Sequence, residues 1–163
     1  YANIVELSRS YGKSVAIDTS GEALKLAIEK MPTIIKPNIE ELSDLMGYTI
    51  DSEKKVISAI IKLSKLIEVV IVSHGRRGAF FCHNNHIWHA IPPVIKVKDT
   101  TGAGDSLLGQ FCAMFFKSYK ITEELMAISV AAGAACAEKD ATPFLELERI
   151  KILSRQVKVL RIK

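Results

Sequence analysis

Cysteine is scarce in this 163-residue chain, and Cys82, Cys112 and Cys136 form no CxxC pair. Two of them fall inside apolar helical patterns, so buried, reduced thiols are expected rather than a disulfide framework. No apolar run approaches membrane-spanning length and no signal peptide is seen at Tyr1, so no membrane partner is expected and the cytoplasm is the expected compartment. Charge is not massed either. Lys and Arg exceed Asp and Glu by a net +4 and are scattered, unlike the concentrated basic face of a nucleic-acid binder. There is no internal repeat, low-complexity tract or linker. The Lys-Ser/Thr pair of a Walker A loop and a GxGxxG fingerprint are both missing.

What remains is ordinary for a folded domain: 48% hydrophobic and 25% charged residues, over a length that can bury a core. The patterning alternates. An opening helix ends near Tyr11-Gly12-Lys13, and short buried strands are expected at 15–18 and 33–36, the second stopped by Pro37. A helix follows Thr19-Ser20-Gly21; another starts at Asn38 and is closed by Gly47; a longer one opens at Asp51-Ser52-Glu53. Val69-Val70-Ile71-Val72 has no polar alternation, as a central parallel strand covered on both faces would read. Asn84-Asn85 separates two strands of a hairpin, and the stretch 94–97 leads into a glycine turn with two helices after it. Residues 147–153 read as a short helix and 157–162 as a final strand. Repeated β-α units predict an α/β layered fold with a largely parallel sheet.

The glycine turn, Asp99-Thr100-Thr101-Gly102-Ala103-Gly104-Asp105-Ser106, is the most informative segment. Leu107, Leu108, Phe111 and Phe115 recur after it at helical spacing, so a helix begins on the glycines. Its unpaired N–H groups and positive dipole end form an anion site that small side chains let a phosphate approach. Asp105 would repel that phosphate unless its carboxylate meets a hydroxyl that attacks it. This is the arrangement of phosphoryl transfer, the amides holding charge and the aspartate accepting a proton. The competing reading is a tight strand–helix turn with Asp105 as a helix-start charge.

Other segments carry two readings as well. Asn38 and Glu41 sit three apart at the end of a strand, where they suit the hydration shell of Mg²⁺ or, equally, a capping box. Asp18 ends its strand beside the same region, or simply holds a turn. Ser73-His74-Gly75-Arg76-Arg77-Gly78 suits a loop whose backbone passes close to a nucleotide, or a glycine turn with solvated arginines. His83, His86 and His89 lie on the hairpin with no acidic or cysteine partner nearby, and are expected to be solvated rather than metal ligands. The small-residue helix 131–136 permits close approach of a ligand or of another element.

Together, in order, these residues resemble the PfkB/ribokinase family of small-molecule kinases, most closely its 1-phosphofructokinase and tagatose-6-phosphate kinase branch. The resemblance rests on 18–24, 36–42, 73–78 and 99–106 and spans essentially the whole chain. It implies a three-layer ribokinase-like α/β fold with a mostly parallel sheet, residues 1–163 being one nucleotide-binding and catalytic portion from the family's C-terminal half. The N-terminal half, with its lid and most of the acceptor site, is expected to precede Tyr1. By position, Asp105 would be the base and Gly102, Ala103 and Gly104 the anion hole. Asn38, Glu41 and Asp18 would serve Mg²⁺. Ser73, Gly75 and Gly78 would line the ATP site, with Ala132 and Cys136 bordering the adenine. The implied reaction is ATP-dependent phosphorylation of fructose 1-phosphate, next tagatose 6-phosphate, in a full-length homodimer. Alternatives are a kinase for ribose or a nucleoside, and an ATP-binding fragment that turns over poorly without the missing half.

Overall fold

The computed structural model describes residues 1–139 and 146–163. Its strands hydrogen-bond in sequence order in one six-stranded sheet. The elements are α1 (Ala2–Ser10), β1 (Ala16–Ile17), α2 (Gly21–Glu29), β2 (Ile34–Ile35), α3 (Ile39–Met46), α4 (Glu53–Leu63), β3 (Val69–Ser73), β4 (Ala79–His83), β5 (His86–Ile91), α5 (Ala103–Ser118), α6 (Glu123–Ala137), α7 (Leu147–Ser154) and β6 (Lys158–Arg161). The alternation of strand and helix is the expected α/β pattern. Two compact units divide the chain: Tyr1–His74 with Phe80–Trp88 and Ile162–Lys163, and Gly75–Ala79 with His89–Arg161.

In the first unit, β1, β2 and β3 pair in parallel, Ala16 opposite Ile34 and Ile34 opposite Val69. Parallel strands are covered on both faces, which is why Val69, Val70, Ile71 and Val72 are all fully buried. β1 and β2 are only two residues long, shorter than their apolar runs suggest. At one end, Thr33 Oγ1 accepts from the Val15 amide (3.1 Å), so a side chain stands in for a ladder bond. At the other, Pro37 has no N–H to donate. Its carbonyl still accepts from Ser73 N (3.0 Å), and a parallel bridge joins Asn38 to Ser73.

Local chemistry sets the helices around this sheet. Val56, Ala59, Ile60 and Leu63 fall on one stripe of α4 and are buried, as their i, i+3, i+4, i+7 spacing requires. α3 is capped at one end by Asn38 and stopped at the other by Gly47, whose φ of 74° is a left-handed position that glycine adopts without a Cβ clash. Leu42 on its inner face is fully buried beside Val70 and Val72 in the core. The hairpin turns on Asn84 and Asn85, both at positive φ (50° and 62°), the backbone that a two-residue turn of this hand demands.

The second unit is built on α5 and α6. Phe111 and Phe115 stack at 5.4 Å between ring centroids, and both are buried. α6 begins at Thr122, whose hydroxyl accepts from the Leu125 amide (3.1 Å), with Glu123 and Glu124 at the positive end of the helix dipole. Its residues 129–137 are all buried, and Ala131, Ala132, Ala134 and Ala135 cluster with Ile150 and Leu153 of α7. The stretch 94–97 that leads into the glycine turn forms no strand, and Val94 is exposed.

Candidate active site

In the first unit, the strand ends gather charged and polar groups. Lys36 follows β2 and is 5% exposed; its Nζ lies 3.0 Å from Asp18 Oδ2 beyond β1. A lysine that buried needs a partner, because an uncompensated ammonium out of water is costly. The Lys36 side chain was not singled out by sequence reasoning, its one signal being a cation directly after the apolar Ile34-Ile35 pair. Two residues on, Asn38 and Glu41 form a full capping box. Asn38 Oδ1 accepts from Glu41 N (2.9 Å) and Glu41 Oε2 accepts from Asn38 N (2.8 Å). The box leaves Glu41 Oε1 and one lone pair of Asn38 Oδ1 outside it, so capping and a second task are compatible. These are hard oxygen donors, and they fit Mg²⁺ held through its waters, which needs few direct protein ligands. Among the described residues, no group of three or more His, Cys, Asp or Glu side chains is arranged to enclose a metal.

The expectation that the hairpin histidines are solvated needs correction. His83 is 12% exposed, with its Nε2 3.6 Å from Glu68 Oε1, and His89 places Nε2 2.8 Å from the Arg77 carbonyl oxygen. Partners from outside the hairpin, not visible in local spacing, draw both rings in. His86 alone of the three is exposed.

In the second unit, Gly75-Arg76-Arg77 makes a single 3-10 turn, closed by Gly78 N donating to Gly75 O (2.9 Å). Gly75 and Gly78 both sit at positive φ. Gly78 has no alternative, since a Cβ there would lie 1.9 Å from the Ala90 carbonyl oxygen. Arg76 and Arg77 are exposed.

The glycine turn opens α5 as expected, with Gly102 at φ 76° as the N-cap. Asp99 Oδ1 accepts from Thr101 N (2.9 Å), and the Thr101 amide and hydroxyl hold the Asp99 carboxyl below the usual carboxylate range. The Ala103 amide donates to Thr100 O (3.1 Å) and the Ser106 amide to Gly102 O (2.8 Å). The amides of Gly102, Gly104 and Asp105 have no acceptor among the described residues. The open donors are therefore those three, with Ala103 N–H tied into the turn. Asp105 stands exposed in the first turn of α5. Behind it, Ala132 is fully buried and Cys136 nearly so, with Cys136 Sγ 3.4 Å from Thr101 O.

A sequence model of the pfkB family carbohydrate kinases matches residues 2–146. The chain belongs to that family. Among pfkB relatives, tagatose-6-phosphate kinase of Staphylococcus epidermidis is 32% identical, over 99% of this chain and 53% of that protein. The 1-phosphofructokinase of Vibrio cholerae is 32% identical over 93% of this chain and 48% of that protein. The crystal structure of phosphofructokinase-2 from Escherichia coli in complex with potassium superposes with a TM-score of 0.87 at 26% identity, over 95% of this chain and 51% of that one. The fold is thus ribokinase-like, and the chain spans about half the length of the curated relatives it matches. No helix among the described residues is long and apolar enough to cross a membrane.

Proposed function

We propose that this chain carries the nucleotide and catalytic portion of an ATP-dependent phosphosugar kinase, acting on fructose 1-phosphate first and tagatose 6-phosphate second. The observation that carries the reading is the turn at the start of α5. Amides of Gly104 and Asp105, without acceptors among the described residues, sit at the positive end of a 16-residue helix, and an exposed carboxylate stands one residue past the glycines. The family and the names of the relatives point the same way.

In this reading a hydroxyl of the acceptor sugar donates its proton to the Asp105 carboxylate as its oxygen attacks the γ-phosphorus of ATP. The bond from that phosphorus to the β,γ-bridging oxygen breaks, and ADP leaves with the electron pair. The Gly102, Gly104 and Asp105 amides stabilise charge on the transferred phosphoryl group, and the fixed helix dipole adds to them without reorganising. Ser73, Gly75 and Gly78 would line the nucleotide, and at Gly75 the absent Cβ leaves open space for close backbone approach. Asn38, Glu41 and Asp18 would hold Mg²⁺ through its waters, and the bound ion would offset the negative charge of the phosphates. Lys36 keeps the Asp18 carboxylate in place. The setting is a cytoplasmic enzyme with small-molecule substrates.

The decisive variant is Asp105→Asn in the full-length protein. Turnover should fall by about 10²–10⁴-fold, the usual contribution of a positioned general base, with MgATP still binding in a calorimeter. Near wild-type rates on both sugar phosphates would show that Asp105 is not the base. MgATP binding by the wild type without turnover on any sugar phosphate would reduce the assignment to nucleotide binding alone.

A further inference from the structure

The reaction as described uses the glycine turn but not what holds it in place. Three residues on one face of α6 touch that turn and its approach in reverse order. A Cβ on Gly133 would lie 2.9 Å from the Ala103 carbonyl oxygen, the first residue of α5. One turn of α6 later, Cys136 donates its thiol proton to Thr101 O (3.4 Å). Its Sγ also packs where a Cβ on Gly102 would be, 3.7 Å away. Next, the Ala137 carbonyl accepts from Lys98 N (2.8 Å) and Asp99 N (3.4 Å). The positions 133, 136 and 137 are an i, i+3, i+4 set, so a single helix face grips residues 98–103 along their length.

We infer that Gly133 and Cys136 are positioning residues of the phosphoryl-transfer turn: α6 is the template against which the open amides and Asp105 are aimed. This rests on the kinase reading above. The obstacle at Gly133 is decisive because it is backbone. A side chain in the way could rotate, but the Ala103 carbonyl moves only if the first turn of α5 moves with it. An added methyl group would push that turn by a few tenths of an ångström, carrying Gly104 and Asp105 along. In-line transfer loses roughly 10²-fold for a 1 Å misplacement, so a shift of this size should cost about tenfold.

Gly109 supplies the control. It lies inside α5, and a Cβ added there would meet nothing within 4 Å, so Gly109→Ala changes helix propensity as Gly133→Ala does, without the collision. The experiment measures kcat, the KM for MgATP and the melting midpoint of the full-length protein for Gly133→Ala, Gly109→Ala, Cys136→Ala, Cys136→Ser and Asp105→Asn, with fructose 1-phosphate and tagatose 6-phosphate as acceptors. For Gly133→Ala the expected result is a kcat lower by about tenfold with the MgATP KM within about threefold of wild type, the signature of lost transition-state geometry rather than lost binding. Gly109→Ala should keep wild-type kcat. Cys136→Ala should lower kcat several-fold, and Cys136→Ser, which keeps a donor towards Thr101 O, should recover part of it. Should Gly133→Ala fail to fold, the Cys136 pair decides on its own.

Wild-type kcat in both Gly133→Ala and Cys136→Ala would overturn the inference, as would a loss that disappears once rates are corrected for the folded fraction. The two readings fail separately. Wild-type turnover in Asp105→Asn brings down the kinase mechanism, whereas turnover lost in Asp105→Asn but kept in Gly133→Ala and Cys136→Ala brings down only the role of α6.

Discussion

The capping box at Asn38 and Glu41 lets a structural and a catalytic task be separated by substitution. Asn38→Ala removes the oxygen that accepts from Glu41 N at 2.9 Å. Loss of such an N-cap costs about 1 kcal/mol, within a range of roughly 0.5–2. For a domain of this size that lowers the melting midpoint by about 2–4 °C. Asn38→Ser keeps a good cap, and Glu41→Gln keeps an oxygen that can accept from the Asn38 amide (2.8 Å in the native pair). Glu41→Gln surrenders mainly the carboxylate's attraction to the helix N-terminus, about 0.3–1 kcal/mol. Asn38→Ser should therefore move the midpoint by less than about 2 °C and Glu41→Gln by no more than about 4 °C. If the pair also serves Mg²⁺ and phosphate, both should still lower turnover by about tenfold or more, one charge-assisted contact being worth that much. Thermal unfolding and steady-state rates on the same preparations read the two effects apart. Wild-type turnover in Asn38→Ser and Glu41→Gln alike would leave the residues as caps and refute the metal role. An unchanged midpoint in Asn38→Ala would refute the capping arithmetic. Because each residue is the other's partner, Asn38→Ala with Glu41→Ala should cost less than the two changes added.

At the Lys36–Asp18 pair, Asp18→Asn should destabilise more than Lys36→Met, because Lys36 is the more deeply buried partner (side chains 6% and 26% exposed). With the penalty for breaking a buried pair discounted for Asp18's partial exposure, chemical denaturation should give about 1–3 kcal/mol for Asp18→Asn; a larger loss in Lys36→Met would reverse the argument. Gly47→Ala meets open space and should cost only the left-handed backbone penalty of about 1–2 kcal/mol, whereas Gly78→Ala meets the Ala90 carbonyl at 1.9 Å and Pro92 Cδ at 2.8 Å and should abolish soluble expression. Equal tolerance at the two positions would contradict this packing. Burial pushes the Cys112 thiol up to about 11. Its neutral form is the one the fold favours, so its contribution to stability is complete below the ordinary thiol pKa of about 8.5 and is lost as pH rises through the folded value. Labelling with a thiolate-specific alkylating agent at pH 8 should therefore be slow at Cys112 and accelerate towards pH 11, and rapid labelling at pH 8 would refute it.

How legible the molecule was depends on the reach of each interaction. Helices α3, α4 and α6 could be located because a cap and an apolar stripe act within four residues: Asn38 with Glu41, Thr122 with Leu125, and Val56 with Ala59, Ile60 and Leu63. The hairpin at Asn84-Asn85 and the left-handed Gly102 before α5 are equally local demands of the backbone. Strand length was less accessible. The apolar runs at 15–18 and 33–36 say that a strand belongs there, but Thr33 and Pro37 decide which amides reach the ladder.

The amino-acid sequence by itself determined the alternation of strands and helices, the caps, and a glycine turn with a carboxylate beside open helix amides, because each depends on neighbours a few positions away. Tertiary structure alone decided that Lys36 would be buried against Asp18, that His83 would face Glu68, and that the end of α6 would grip the turn through Gly133, Cys136 and Ala137. Those partners lie between 15 and 39 residues apart in the chain. Only folding brings them within a few ångströms, and no local period or propensity records which distant group will complete a charge or fill the space a missing Cβ leaves.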